Sequence, residues 1–402
     1  MNILQIASKI PIPPKDGGML LMYNFAKGYF KNGNDVTFAS LNTKKHNVDL
    51  KKCNNELLKF CEFQSVNIDT SINPFYFIYY LFLKMPYNIS RFHSKEFEVK
   101  LKLILEQKKY DVIVFEGLYV TSYLKIIRKY SNTISVLRQQ NIEHKIWERL
   151  AKNSKNLFKK LIYSIIWKKI KNYELEIINS FDAIIPVTNV DAEYFKNNGC
   201  NTSIHVAEFC IDLEKYVVNK NDKNLFTLFH IGSMDWRPNQ ESILWFLESV
   251  WPKINLKFPD LRFVIAGKNM PDFIKNLKYK NVEILGEVED AIEFINSHTV
   301  MVVPLLSGSG IRVKIIEAMA LEKTIITTSI GAEGINYTDN KNIKIANSNI
   351  DFLNAISDLI NNKTQCDEIG KNARKLVEKD FDLNVIVGNL VKFYQNLPLR
   401  TD

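Results

Sequence analysis

The chain has 402 residues, 46% hydrophobic and 24% charged, which suits a folded protein with apolar material for two cores and excludes a disordered or fibrous chain. Its 53 basic and 44 acidic side chains leave a formal charge of +9, compatible with nucleic acid, an anionic membrane surface or an anionic small substrate, so distribution has to decide among them. No run reaches the roughly 18–20 apolar residues of a membrane span, no basic-then-apolar leader is visible, and five scattered cysteines (Cys53, Cys61, Cys200, Cys210, Cys366) without a Cys-x-x-Cys pair read as reduced thiols of a cytoplasmic protein.

In chain order, apolar and β-branched runs at residues 2–7, 35–41, 111–115, 133–137 and 182–187 are expected as buried parallel strands. Helical patterns lie between several of them, at 19–31, 95–109 and 190–198. A polar stretch, 218–224, reads as a linker. A second strand series follows at 226–231, 261–266, 281–285, 300–304 and 324–328, with helices at 240–256, 311–321 and 350–361. Strand–helix alternation predicts an α/β protein of two Rossmann-like, doubly wound parallel sheets facing a cleft. Ligands of such sheets bind beyond the carboxyl ends of the strands. The chemistry is therefore sought where strands end and glycines begin.

Four places meet that description. The proline-stiffened loop Ala7-Ser-Lys-Ile-Pro-Ile-Pro-Pro-Lys-Asp-Gly-Gly18 follows the first strand, and Gly17 and Gly18 let backbone N–H groups approach a ligand at a helix start. The same pair also fits an ordinary diglycine turn. Arg138-Gln-Gln-Asn-Ile-Glu-His144 follows a later strand, and its His144 is either an acid or base or a structural hydrogen-bonder. Ile231-Gly-Ser-Met-Asp-Trp-Arg-Pro-Asn239 opens a phosphate-sized corner at Gly232 and Ser233, with Arg237 as a charge. In Ser307-Gly-Ser-Gly-Ile-Arg-Val-Lys-Ile-Ile-Glu317, two cations, Arg312 and Lys314, stand where a helix start ordinarily prefers acids, which points to an anionic ligand. A Lys314–Glu317 surface pair is the bland alternative. No Walker loop, dinucleotide fingerprint, hydrolase elbow or metal-ligand cluster is present, so no metal is expected.

Together these segments resemble the donor-binding half of family 4 glycosyltransferases: Gly232 to Asn239, Phe263-Val-Ile-Ala-Gly-Lys268, Leu285-Gly-Glu-Val288, Ser309-Gly-Ile-Arg-Val-Lys-Ile-Ile-Glu-Ala-Met319 and Gly331-Ala-Glu-Gly334. The resemblance extends over nearly the whole chain and takes in Asn141-Ile-Glu-His-Lys-Ile-Trp-Glu-Arg-Leu150. It implies a GT-B fold, a nucleotide-diphosphate sugar (UDP- or GDP-linked) as co-substrate, no cofactor, metal-independent transfer with retention, and a last helix returning to the first domain. The implied domains are 1–215 for the acceptor, 216–380 for the nucleotide sugar and 381–402 for that helix. Glu317 matches the second Glu of the family's Glu-x7-Glu motif, a ribose ligand, while Ser309 holds the first, leaving the backbone of Ser307, Gly308, Gly310 and Ile311 for the donor sugar. Ser233 replaces the family's Arg, so Arg312, Lys314 and Arg237 are the implied partners of the diphosphate. Lys268, Glu287 and Val288 complete the implied donor site. Gln140, Asn141, His144, Arg312 and Lys314 are the implied catalytic residues, Gln140 standing where the family often has His.

From Lys152 to Lys171 there are seven lysines and no acid, interleaved with Phe158, Tyr163 and Trp167. This predicts an amphipathic helix at an anionic membrane surface, or else a solvated helix packed on its domain. The run 75–83 is a second interfacial patch or a buried core. No nucleic-acid motif is present. The expected protein moves a sugar from a nucleotide donor to a glycan or polyprenyl-linked glycan in bacterial surface-polysaccharide (capsule or lipopolysaccharide) synthesis, at the inner face of the plasma membrane. Its alternatives are an impaired glycosyltransferase-like binding subunit, suggested by Gln140 and Ser309, and a nucleotide-sugar epimerase of the same fold.

Overall fold

The computed structural model describes residues 1–14, 16–50, 57–154, 156–219, 226–308 and 310–398. Two compact units divide the chain, Met1–Cys210 with Leu383–Asp402 and Ile211–Asp382. The linker expectation falls largely on 220–225, and Ser309 and Cys53 also lie outside the described residues.

The first unit carries a seven-stranded parallel sheet among its described residues: β1 (Asn2–Ala7), β2 (Asp35–Thr43), β3 (Cys61–Ile68), β4 (Val112–Glu116), β5 (Ile134–Gln139), β6 (Ala183–Pro186) and β7 (Ser203–Ile204). Their spatial order is β3-β2-β1-β4-β5-β6-β7. β1, β4 and β5 are buried along nearly their whole length, and Leu4, Ile6, Ile113, Phe115 and Leu137 build one core with Phe97, Leu101 and Tyr123. The helix Gly17–Lys31 starts where the Asp16 side chain accepts the Met19 N–H at 2.8 Å. The helix Leu383–Gln395 packs on it closely, since a Cβ at Gly28 would lie 2.5 Å from Val387 Cγ2. The hydroxyls of Tyr29 and Tyr394 meet there at 3.0 Å.

The second unit repeats the plan with β8 (Thr227–Ile231), β9 (Arg262–Ala266), β10 (Val282–Gly286), β11 (Val300–Val303), β12 (Thr324–Thr327) and β13 (Lys344–Ile345), ordered β10-β9-β8-β11-β12-β13 and all parallel. Its core gathers Phe246, Trp251, Phe263, Ile326 and Phe352. The helix expected at 240–256 is two, Arg237–Ser249 and Trp251–Lys257, broken at Val250. Pro252 lacks the N–H that a continuous helix would need there. Strand order reverses between β1 and β4 in one sheet and between β8 and β11 in the other, the switch points where doubly wound sheets hold ligands.

Candidate functional site

At the switch point of the second unit, the loops after β8, β9 and β10 are joined by backbone bonds. The Gly232 N–H donates to the Ala266 carbonyl (3.2 Å), Met234 to Lys268 (2.8 Å) and Gly267 to Gly286 (2.7 Å). A Cβ on Gly267 would fall 1.9 Å from the Gly232 carbonyl oxygen, so this approach needs glycine. Into the resulting corner comes Lys314 from the helix Val313–Ala320, which follows β11. Its Nζ donates to Asn239 Oδ1 at 2.8 Å and lies 3.2 Å from His230 Nε2. His230 is buried, and its Nδ1 must donate to the Val302 carbonyl at 2.8 Å, which leaves Nε2 to accept from Lys314. Burial first, and then the Lys314 charge, push His230 well below its ordinary pKa. Burial, with Arg312 adding to it, pushes Lys314 down to about 7. A Cβ on Gly232 would sit 3.0 Å from Lys314 Nζ and 2.9 Å from Asn239 Nδ2. The corner thus presents an ammonium held by two neutral side chains, with no carboxylate against it among the described residues.

Arg312, the other cation of this loop, is held by different partners. Its guanidinium donates to the carbonyl of Gly310 and, at 3.4 Å, to that of Ile330, lies 3.8 Å from Glu333, and sits 5.5 Å from the centre of the Trp236 ring. It therefore clamps the glycine loop in which Gly308 and Gly310 have φ of +126° and +83°. Ser307, Gly308 and Gly310 are exposed on that loop, and Ile311 packs against Gly334, where a Cβ would lie 2.7 Å from it. Glu317 does not pair with Lys314. It accepts the Tyr216 hydroxyl at 2.8 Å, and burial pushes its carboxyl up. Arg237, expected beside the phosphates, turns outward to Glu241 (2.9 Å) and is 86% exposed, as an i,i+4 partner within reach makes natural. Ser233 is exposed and donates to Asp235 at 2.6 Å. Lys268 and Glu287 are exposed and Val288 partly buried on the neighbouring strand-end loops.

In the first unit a cavity of about 530 Å³ opens at the carboxyl ends of β1, β4 and β5, lined among others by Lys9, Gly18, Glu116, Gln140 and Asn141. Glu116 accepts from Gln5 Nε2 (2.6 Å), Arg138 Nε (3.1 Å) and Gln140 Nε2 (3.4 Å). The Arg138 guanidinium lies 3.6 Å from the centre of the Phe25 ring, so the carboxylate is fixed from below. A Cβ on Gly18 would meet Gln140 Oε1 at 2.6 Å, whereas one on Gly17 would meet nothing within 4 Å. His144 does not line this cavity. At 1% exposure its Nδ1 is 2.6 Å from Glu174 Oε2 and its Nε2 2.8 Å from the Tyr194 hydroxyl. Both ring nitrogens are engaged in hydrogen bonds, as the structural hydrogen-bonder of the two alternatives requires. A larger cavity of about 870 Å³, lined by Met1, Lys108, Asp111 and Thr133, lies at the amino ends of the same strands, the edge that doubly wound sheets do not use for ligands.

Sequence reasoning did not single out His230, Asn239, Tyr216 or Glu116. A lone His in an apolar strand looks like core, and the other three become site residues only through partners far away in sequence. Among the described residues no group of three or more His, Cys, Asp or Glu side chains gathers as a metal site. Cys61, Cys200, Cys210 and Cys366 form no disulfide among the described residues. No described helix is long and apolar enough to cross a membrane.

The family model described as glycosyl transferases group 1 matches residues 226–362, which contain the Lys314 corner. A Klebsiella pneumoniae protein named as a 44.6 kDa protein in the cps region is 24% identical over 73% of this chain and 76% of its own length. A Methanocaldococcus jannaschii protein named as a glycosyltransferase is 24% identical over 55% of this chain and 67% of its own. Among solved structures, HepE of Anabaena in complex with UDP superposes with a TM-score of 0.64 at 14% identity, covering 99% of this chain and 100% of that one. Sucrose-phosphate synthase of Thermosynechococcus elongatus gives 0.65 at 14% identity, with 99% of each chain covered. The shared architecture is the GT-B fold.

Proposed function

Residues 226–362 being a group 1 glycosyltransferase domain, and the chain an enzyme of that type on the GT-B fold, we propose that it moves a sugar from a UDP-sugar to a lipid-linked glycan in bacterial surface-polysaccharide synthesis, with retention. The observation that carries this is the Lys314 corner. Cleaving a glycosyl–phosphate bond leaves negative charge on the diphosphate, which a preorganised cation and helix-terminal N–H groups stabilise best where water is excluded. Lys314, half-buried between His230 and Asn239 at the start of the helix Val313–Ala320, supplies that cation. Glu317, whose carboxylate accepts the Tyr216 hydroxyl, accepts the ribose hydroxyls in this reading. In the first unit, Glu116 and Gln140 supply a carboxylate and an amide to hydroxyls of an acceptor in the cavity. UDP is favoured over GDP because the HepE structures hold UDP and UDP-glucose. The cps-region relative favours the surface-polysaccharide setting.

Incubation with UDP-, GDP- and ADP-sugars, with and without lipid-linked glycan extracted from a surface-polysaccharide producer, tests the proposal. Acceptor-dependent release of UDP is expected. Conversion of donor without nucleotide release would point to an epimerase, and binding without turnover to a non-catalytic subunit; either overturns the proposal.

A further inference from the structure

We propose that the first unit docks on an anionic lipid bilayer through the aromatic helix Pro74–Leu81 and the first turns of the helix Leu157–Ile177, with the acceptor cavity at the edge of the docked face. The proposal rests on the reading of that cavity as the site of a lipid-linked acceptor.

Between Asp69 and Lys84 the sequence carries no charge, yet this segment is not core. Asn73 caps the helix Pro74–Leu81 by accepting the N–H groups of Phe75 and Tyr76, and no residue of the helix is buried. One side, with Phe77 and Tyr80, rests on Tyr87 at ring-centre distances of 5.9 and 6.0 Å. The other side presents Phe75 and Phe82, 84% and 85% exposed, together with Tyr76, Ile78 and Tyr79. So large an apolar surface is costly in water, and this mixture of Phe, Tyr and Ile is the composition that settles at a headgroup boundary.

Two observations choose a bilayer over a protein partner. The first is charge complementarity. The Lys169 ammonium donates to the Leu83 carbonyl at 2.6 Å, and Phe77 packs on a cluster that includes Ile166 and Ile170, so the lysine-bearing helix is the aromatic helix's neighbour. Its first turns expose Leu157, Phe158 and Leu161 beside Lys159 and Lys160. Cations flanking inserted apolar side chains are what an anionic headgroup layer attracts, at about 1 kcal/mol per cation near the surface. The second is continuity with the cavity. Thr70 lines it just before the aromatic helix, and Arg91 and Phe92 line it just after the chain returns. The excursion thus begins and ends on the cavity rim, where Arg91 and Lys45 add positive charge, as a phosphate-bearing head with an apolar tail would require.

Sedimentation of the full chain with vesicles tests this. Wild type is expected to bind phosphatidylglycerol–phosphatidylcholine vesicles and to bind pure phosphatidylcholine weakly. Phe75→Ser with Phe82→Ser should weaken binding roughly tenfold at every salt concentration, because the apolar part is unscreened. Lys159→Gln with Lys160→Gln should weaken it only at low salt. These four side chains are exposed, and thermal melts should match wild type. Wild type failing to sediment at low salt, or the Phe variant sedimenting like wild type, would overturn the proposal. Docking is read by sedimentation and transfer by nucleotide release. A protein that sediments without transferring therefore supports the docking face and contradicts the acceptor reading.

Discussion

At Lys314, burial opposes the charge that a diphosphate needs, and the ammonium is held down to about 7. Nucleotide binding favours the charged form, so UDP affinity should be greatest below pH 7 and fall as pH rises to about 8.5, approaching tenfold per pH unit. Calorimetry in buffers of different ionisation enthalpy should show proton uptake at pH 8. The empty protein responds in the opposite sense. Between about 7 and the unfolded lysine's ~10.4 the unfolded chain holds the extra proton, so the penalty present below 7 is relieved and stability rises with pH. His144 belongs to the other unit and to packing. Replacing His144 with Gln should leave Glu174 or Tyr194 short of a partner and cost about 1–3 kcal/mol in a denaturant melt, with UDP affinity unchanged. The sequence made Lys314 visible because a cation beside a glycine loop calls for an anion. It could not show that Asn239 and His230 hold the ammonium, since those contacts span 75 and 84 residues.

Among the elements, strands buried on both faces are legible and edges are not. β1 coincides with its expected residues 2–7 because every side chain there is apolar or small except Asn2 and Gln5. β3 carries no such run. Its Glu62, Gln64 and Asn67 alternate with apolar residues at the sheet edge, and only pairing with β2 defines it. The stretch 75–83 is apolar enough for a core, and its exposure follows from where Tyr87 anchors it, which composition does not encode. The strand-end loops of the second unit depend on a single backbone contact. Gly267→Ala should destabilise that unit by about 3 kcal/mol, because the added methyl meets a carbonyl oxygen that has no rotamer to escape into. A melt monitored by the tryptophans of the second unit measures it, and wild-type stability would show that the loops can part.

For the molecule as a whole, the two sheets present different chemistry at their carboxyl edges, a cation corner in one unit and a carboxylate–amide cavity in the other. This division follows from strand order, which strand–helix alternation in the sequence already implied, whereas the partners that tune each edge come from distant segments. UDP titration by calorimetry, comparing wild type with Lys314→Met and Arg237→Ala, tests the cation corner most directly. Lys314→Met should lose about 1.5–3 kcal/mol of charge-assisted binding, roughly ten- to 150-fold in Kd. Arg237→Ala, removing an exposed cation already paired with Glu241, should bind within about twofold of wild type. Equal affinity for UDP in wild type and Lys314→Met would contradict the assignment of the diphosphate to this corner.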